Sequence, residues 1–339
     1  MTVTYFARIP CLRVSIIRKN VEVHVRRSIM LAVFCLFLVA SFAEAQDRLL
    51  TIKKPDPSVP PDGVQLKRAV VNVELQCKQG NLLVSAAGTG FLVGYTDPRL
   101  PKGQIFEYLV TNRHVAECWD EHNRPREIQT LKIRVNAKDG SSRRLDALSA
   151  AWRFPIDDSI DLAAMPVLFP DDLLIDVLPV DGFATKDFMS SNRIAEGSPI
   201  LLSGYFYQFS GDKRFQAIVR QGILSMVPDE PMKTTTGKPG IVYLCDVHIF
   251  GGNSGSPVMV TADWLGVGGY HLLGVVSGYY YENEDFDLEI ATTVKGTGRA
   301  NSGVAMIVPV DFLKDLLDVP ELKSSREAYI SQLTSAAKQ

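Results

Sequence analysis

Short runs of apolar and β-branched residues, separated by turn-forming residues, dominate the chain from Val64 to about residue 310. Runs of this length predict β-strands rather than helices. The predicted strands cover residues 69–75, 82–86, 90–93, 107–111, 131–135, 162–167, 199–206, 217–227, 241–247, 256–261, 272–281 and 304–310. Regular spacing of this kind favours a sandwich or barrel, and about a dozen strands exceed one small barrel. The pattern therefore predicts an all-β fold with room for two barrels.

Two helices are predicted after the last strand. Apolar residues at positions 312, 313, 316 and 317 fall on one face, Asp311 is a candidate N-cap, and Pro320 ends the segment. A more polar helix is predicted over residues 321–337. We therefore divide this part of the chain into a β domain over residues 64–320 and a helical tail over residues 321–339.

The first 63 residues have a different character. Six basic residues precede an apolar run at 29–42, and Ala43-Glu44-Ala45 forms a small-x-small cleavage site before Gln46. This order is typical of a secretory signal peptide, and the run is shorter than the roughly 20 residues of a spanning helix. We expect a signal peptide over residues 1–45 and a secreted or periplasmic protein without a membrane segment in its mature form. An uncleaved membrane anchor is the alternative. Residues 46–63, rich in Pro, Asp and Lys, are predicted to be a linker or N-terminal arm.

Composition narrows the class of protein and the possible disulfides. The 339 residues are 46% hydrophobic and 22% charged, which is typical of a globular protein, and the net charge of -2 gives no reason to expect a nucleic-acid partner.

Cleavage of the signal peptide would leave three cysteines, Cys77, Cys118 and Cys245, so at most one internal disulfide forms. We expect Cys77 to pair with Cys118, since both flank one predicted strand pair. Three buried free cysteines are the alternative.

Two separate stretches carry candidate acid–base residues. In LVTNRHVAECW (109–119), an apolar strand end delivers His114 to a short helical turn, and histidine is the usual general base near neutral pH. In DDSIDLAAMPV (157–167), Asp161 begins an apolar strand, where a carboxylate can orient a histidine. The ordinary alternatives are a structural histidine and a turn aspartate. His114 and Cys118 share a helical spacing that could suit a metal, but no second ligand cluster exists, so we predict no metal and no cofactor.

The stretch HIFGGNSGSPVMV (248–260) places glycines inside an apolar strand pattern. Interior glycines weaken strands, so the cluster predicts a sharp turn. Acyl transfer needs a nucleophilic oxygen and donors aimed at the developing oxyanion. Ser254 is the candidate nucleophile, with the amides of Gly252 and Ser254 as donors. Ser256 is in the wrong register because Pro257 follows it and begins the next strand.

The three stretches, in the order His, Asp, Ser, together resemble the chymotrypsin/trypsin clan of serine proteases. They are most similar to its bacterial Deg-type branch, and the resemblance covers about residues 64–318. It is also carried by GTGFLV (88–93), RQGILS (220–225), LLGVVSG (272–278) and NSGVAMIVPVDFLKDLL (301–317), and by Asp246 eight residues before Ser254. The family more often has glycine at the position of Ser256. The resemblance does not extend to a PDZ domain.

The resemblance implies two packed six-stranded antiparallel β-barrels followed by C-terminal helices, with the active site in the cleft between the barrels. It implies that His114 is the general base, Asp161 its orienting carboxylate, Ser254 the nucleophile, and Gly252 with Ser254 the oxyanion hole. The expected function is a serine endopeptidase acting on protein or peptide substrates. A catalytically silent peptide-binding or chaperone-like protein on the same fold is the alternative. An α/β-hydrolase esterase is disfavoured, because its histidine would come last in the chain.

The resemblance also implies a substrate-binding edge. Ser277 would lie beside the orienting aspartate, and Ser277, Gly278 and Tyr279 would pair with a substrate strand. His248 stands six residues before Ser254, where the clan often floors its primary pocket, and a plain loop histidine is the alternative. Residues 279–302 are predicted to be a long loop, either solvated or acting as a lid over the pocket.

Overall fold

The structure is a computed structural model that describes residues 62–80, 82–119, 124–262, 269–289 and 293–336. The predicted signal peptide and nearly all of the predicted arm lie outside the described residues. Contacts divide the chain into Met1–Val59 and Pro60–Gln339, and every described residue belongs to the second unit. None of the helices in the described part of the chain is long and apolar enough to cross a membrane.

The first half of the unit is a seven-stranded sheet. Its strands are β1 (Val70–Gln79), β2 (Leu82–Tyr95), β3 (Phe106–Thr111), β4 (Ile128–Asn136), β5 (Ser142–Asp146), β6 (Ala163–Val167) and β7 (Leu178–Pro179). Six of them lie in the order β5-β4-β1-β2-β3-β6, with antiparallel neighbours, and β7 pairs in parallel with β2. Alternating apolar residues such as Val73, Leu92 and Leu109 are fully buried and form the core of this half.

The second half is a closed six-stranded barrel with the order β12-β15-β14-β13-β8-β9. Its strands are β8 (Pro199–Tyr205), β9 (Ala217–Met226), β12 (Tyr243–Asp246), β13 (Pro257–Val260), β14 (His271–Glu289) and β15 (Thr293–Pro309). Ile200, Leu202, Leu224 and Val276 are fully buried inside it. A small hairpin of β10 (Met232–Lys233) and β11 (Pro239–Gly240) lies outside the barrel path.

The predicted all-β architecture is confirmed, with one closed six-stranded barrel. The prediction of a second such barrel is not confirmed, because β5 and β6 have no pairing that closes the first sheet among the described residues. Strand lengths and spacing could not decide this point, since closure depends on how the two outer strands meet.

Five helices accompany the strands of the described chain: α1 (Asp62–Ala69), α2 (Arg113–Ala116), α3 (Lys186–Ser191), α4 (Val310–Leu317) and α5 (Pro320–Ala336). Helix α1 replaces the strand pattern expected from Val64, and it buries Leu66 and Ala69 one turn apart. The prediction that Asp311 caps α4 is wrong. Pro309 occupies the N-cap position, and Asp311 accepts a hydrogen bond from the Lys186 amide at 3.2 Å.

Helix α5 is attached to the first sheet through Arg326, which is 4% exposed. Its guanidinium donates to the Tyr108 hydroxyl at 3.0 Å, to the Leu317 carbonyl at 2.6 Å and to the Asp318 carboxylate at 2.7 Å. It also stacks over the ring of Tyr95, 4.0 Å from the centroid. The buried charge is therefore satisfied, and it ties the C-terminal helix to β2 and β3.

The predicted loop over residues 279–302 is instead the distal part of the β14–β15 hairpin. Its antiparallel register runs from Tyr281 opposite Asn301 to Glu289 opposite Thr293. Because ladder hydrogen bonds join backbone groups, a polar sequence can form such a ribbon. The apolar pattern alone therefore missed it.

Cys77 and Cys118 form a disulfide, which confirms the predicted pair. The bond joins β1 to the segment that follows α2. Cys245 is a buried free cysteine, and its burial raises the pKa of the thiol.

Candidate active site

His114 lies where β3 gives way to the single turn of α2. Val115 and Ala116 of that turn are buried in the core of the first sheet, whereas the His114 side chain is 45% exposed. Asn112, fully buried just before the turn, donates its side-chain amide to the Asp161 carbonyl at 2.8 Å. The end of β3 is thereby fixed to the segment that carries the aspartate.

Asp161 directly precedes the buried start of β6, and its side chain is only 3% exposed. Its Oδ1 accepts from the His114 backbone amide at 3.1 Å, and its Oδ2 lies 2.6 Å from His114 Nδ1. An ionised carboxylate only accepts hydrogen bonds, so Nδ1 carries the proton and Nε2 is left as the acceptor. The aspartate thus fixes both the tautomer and the orientation of the imidazole.

The electrostatic balance at His114 favours its protonated form. Desolvation lowers the pKa of the imidazole, but the charge and hydrogen bond of Asp161 raise it, and the net pKa lies above the ordinary value of 6.5. A histidine in this setting is a stronger base than one free in water.

A third group reaches the same carboxylate. The Thr235 hydroxyl lies 3.3 Å from Asp161 Oδ2. Ser277, expected beside the aspartate, is buried, and its hydroxyl donates instead to the Met306 carbonyl at 3.4 Å. Sequence reasoning missed Thr235 because it lies in a polar Thr-Thr-Thr-Gly turn with no apolar pattern or motif around it.

The glycine-rich stretch forms a tight turn from Phe250 to Asn253. The Asn253 amide donates to the Phe250 carbonyl at 2.9 Å, and Gly252 has φ of +95°. A positive φ at the third position is the mark of a type II turn and requires glycine there. Buried Asn253 holds the turn from inside, accepting from the Phe250 amide at 2.8 Å and donating to the Tyr205 carbonyl at 2.8 Å.

The backbone amides from Gly251 to Ser256 fall into two groups. Those of Asn253, Gly255 and Ser256 donate to carbonyl oxygens of Phe250, Val276 and Asn253 at 2.9–3.0 Å. Those of Gly251, Gly252 and Ser254 have no acceptor within the described part of the chain, and the last two are the predicted oxyanion donors. Two uncommitted backbone donors on one turn can bind an anionic oxygen.

The two serines of the stretch differ in accessibility. Ser256 is fully buried, with its hydroxyl 3.3 Å from the Thr89 hydroxyl, whereas Ser254 is partly exposed. Of the two serines, Ser254 is therefore the one that solvent reaches.

His114, Asp161 and Ser254 line one cavity of about 640 Å³. Three predicted substrate-binding residues line it as well, namely Ser277, Gly278 and Tyr279. The other lining residues are Lys233, Thr234, Thr235, Thr236, Gly251, Tyr280, Tyr281 and Met306. No group of three or more His, Cys, Asp or Glu that could hold a metal ion occurs among the residues described.

The structure does not bring His248 to this cavity. Val247 and Ile249 are buried in the barrel, so alternation along the chain directs His248 outward. His248 lines a separate surface cavity with Arg220 and Asp246.

A family model described as a trypsin-like peptidase domain matches residues 88–268, just over half of the 339 residues. No curated protein matches the chain in sequence.

Among solved structures, the chain is similar to two structures of the HtrA-type protease AlgW with tripeptide. Each has 16% identity and a TM-score of 0.43. These similarities cover 75% and 76% of this chain but 60% and 62% of the AlgW chains, so this chain spans about three fifths of their length. A structure of Deg5 is similar at 18% identity, with a TM-score of 0.42, over 74% of this chain and 88% of that one.

Proposed function

The chain belongs to the trypsin-like peptidase family, and on that premise we propose that it is a serine endopeptidase acting through Ser254, His114 and Asp161. One observation carries the proposal. The hydrogen-bonded His114–Asp161 pair lines the same cavity as the partly exposed Ser254, and the amides of Gly252 and Ser254 have no acceptor among the described residues. A nucleophile, a base with its orienting group, and oxyanion donors are the parts that acyl transfer requires.

In the proposed mechanism, Ser254 Oγ attacks the carbonyl carbon of the substrate peptide bond while His114 Nε2 takes the hydroxyl proton. The Nδ1 proton stays on the imidazole, bound to Asp161 Oδ2, and the carboxylate stabilises the imidazolium that forms. The amides of Gly252 and Ser254 bind the oxyanion of the tetrahedral intermediate.

The intermediate collapses when His114 gives the proton from Nε2 to the leaving amine and the C–N bond breaks. Water then attacks the Ser254 ester, again deprotonated by His114, and the acid product leaves with Ser254 regenerated. The proposed reaction uses no cofactor.

We propose that the substrate is an extended protein or peptide segment that pairs with the edge of β14 at Ser277, Gly278 and Tyr279. This is supported by their position along the cavity that holds Ser254. His248 has no part in the proposal, since it lines a different cavity.

The domain limits and the location of the protein are also proposals. A peptidase domain over residues 64–320 with a tail over residues 321–339 agrees with helix α5 beginning at Pro320. The Deg-type assignment and secretion or export to the periplasm rest on the sequence motifs and on the signal-peptide pattern of residues 1–45.

Hydrolysis of a casein-like protein substrate by the purified protein tests the function. We expect wild type and Ser256→Ala to cleave it, and Ser254→Ala and His114→Ala to lose cleavage. Absence of cleavage in the wild type would favour a silent peptide-binding protein on the same fold. Cleavage that survives in Ser254→Ala would overturn the nucleophile.

A further inference from the structure

Asp161 Oδ2 is shared by two groups from different parts of the chain. His114 Nδ1 lies 2.6 Å from it, and the Thr235 hydroxyl lies 3.3 Å from it. Thr235 belongs to the connection between β10 and β11, outside both the first sheet and the barrel path. We propose that Thr235 is a positioning residue, whose hydroxyl holds the Asp161 carboxylate in the orientation that fixes His114. The role of this pair in catalysis rests on the proposed function.

The connection that carries Thr235 is internally fixed. The amide and hydroxyl of Thr234 both donate to the Lys238 carbonyl, at 3.0 and 2.9 Å, and the Gly237 amide donates to the Thr234 carbonyl at 3.0 Å. Thr234 itself is only 5% exposed. Thr235 is thus presented from a closed turn rather than from a free loop.

The same hairpin is held on two sides of the cavity. The Lys238 ammonium pairs with the Asp158 carboxylate, three residues before Asp161. On the other side, the Tyr280 hydroxyl donates to the Lys233 carbonyl at 3.3 Å. The hairpin therefore connects the aspartate segment with the proposed substrate edge, and Thr235 lies between them.

Gly278 leaves the space that Thr235 occupies. A Cβ built on Gly278 would lie 2.6 Å from Thr235 Cγ2, closer than real contacts allow. A side chain at position 278 would displace the threonine from its place beside Asp161. The glycine on the substrate edge and the threonine on the hairpin thus fit each other.

Ser277, the serine expected beside the aspartate, makes its hydrogen bond elsewhere. The buried Ser277 hydroxyl donates to the Met306 carbonyl on the neighbouring strand. Within the described residues, Thr235 is the one hydroxyl side chain hydrogen-bonded to the Asp161 carboxylate. In this chain the hydroxyl that contacts the aspartate comes from the hairpin and not from the substrate strand.

The hydrogen bond from Thr235 to Asp161 Oδ2 determines how loss of the hydroxyl should change the His114 pKa. A hydroxyl donated to Oδ2 offsets part of its negative charge, so its removal strengthens attraction for imidazolium and raises the His114 pKa. It also frees the carboxylate to rotate, which slows proton transfer. The other charged groups of this region are Arg113 of α2, Glu117 directly after it, the Lys238–Asp158 pair and Lys233 at the cavity wall. Substitution of Thr235 leaves all of them in place.

The decisive variants are Thr235→Val, which keeps the shape and removes the hydroxyl, and Thr235→Ser, which keeps the hydroxyl. Thr130→Val on β4 is the matched control, since it makes the same change outside the cavity. The His114 pKa is measured by 15N NMR titration of the purified protein, and the pH profile of kcat/KM is measured beside it.

We expect Thr235→Val to raise the His114 pKa by about 0.5 and lower kcat about 5-fold, with little change in KM. Thr235→Ser and Thr130→Val should match wild type. An unchanged His114 pKa in folded Thr235→Val would overturn the proposal, as would an equal shift in Thr130→Val. A shift produced by Ser277→Ala instead would return the role to that serine. Because the NMR titration needs no substrate, it gives its answer even if the protein cleaves nothing.

Discussion

Replacement of Gly252 by alanine tests the oxyanion site through its backbone. At φ of +95° an alanine is strained, and its Cβ would lie 2.6 Å from Tyr205 Cδ1 and 3.2 Å from the Tyr205 carbonyl. The left-handed region costs a residue with a Cβ about 1–2 kcal/mol, and the contact with a partly buried ring adds to this. The turn can relieve both by changing from type II to type I.

That change rotates the peptide between Gly251 and Gly252, so the Gly252 amide would lose the direction that the proposed oxyanion site requires. Removing one oxyanion donor costs on the order of 10²–10³ in kcat, about 2.7–4 kcal/mol. The oxyanion exists only in the transition state and intermediate, so KM should change little. We therefore expect Gly252→Ala to be folded and slow, with substrate binding retained.

The assay is steady-state hydrolysis of a chromogenic peptide, with thermal unfolding to verify the fold. Gly140→Ala is the matched control, because Gly140 has φ of +88° and open space around its Cβ. Gly140→Ala should lose about 1–2 kcal/mol of stability from the left-handed backbone alone and keep its kcat. A folded Gly252→Ala protein whose kcat stays within about threefold of wild type would refute the reasoning.

Three further predictions concern pH and stability. His114 must be neutral to accept a proton, and Asp161 holds its pKa above 6.5, so kcat/KM should fall with acid at a midpoint above pH 6.5. Asp161→Asn should move that midpoint to lower pH and reduce kcat by on the order of 10⁴-fold. Loss of the Cys77–Cys118 bond, with 41 residues of separation, should lower the free energy of unfolding by about 4 kcal/mol, measured with urea in the double serine variant. Arg326→Met should cost about 3 kcal/mol, because it leaves buried carbonyl and hydroxyl groups without their donor.

Each of these predictions has a contrary outcome. An acid midpoint unchanged in Asp161→Asn would show that the carboxylate does not set the His114 pKa. Equal urea midpoints with and without the disulfide would mean that it adds no stability. Lys323→Met, an exposed change on the same helix, is the control for Arg326→Met. An equal loss of unfolding free energy in both variants would show that the buried guanidinium adds no stability of its own.

The three residues proposed to act in catalysis could be predicted from the sequence because each is specified locally. His114 and Asp161 lie beside buried strand ends, and Ser254 lies in a turn that needs glycine, so short stretches of sequence place all of them. The structure places them along one cavity. Pro257, which follows Ser256 and begins β13, distinguishes Ser254 from Ser256.

Features that depend on distant contacts were not predicted. Thr235 reaches Asp161 across 74 positions of sequence, and nothing in its own turn indicates that partner. The first sheet, which is open among the described residues, and the polar β14–β15 ribbon likewise depend on strand pairing rather than on an apolar period. His248 was predicted to lie at the primary pocket because it stands six residues before Ser254. The alternation of buried and exposed residues along its segment directs it to another surface.

Covalent labelling of Ser254 is the most direct test of the proposed mechanism. A fluorophosphonate reacts with a serine that has an activating base and an oxyanion site, and peptide mass spectrometry locates the adduct. We predict one adduct, on Ser254, in wild type and Ser256→Ala, and strongly slowed labelling in His114→Ala. Labelling of another residue, or labelling that persists in Ser254→Ala, would contradict the proposed mechanism.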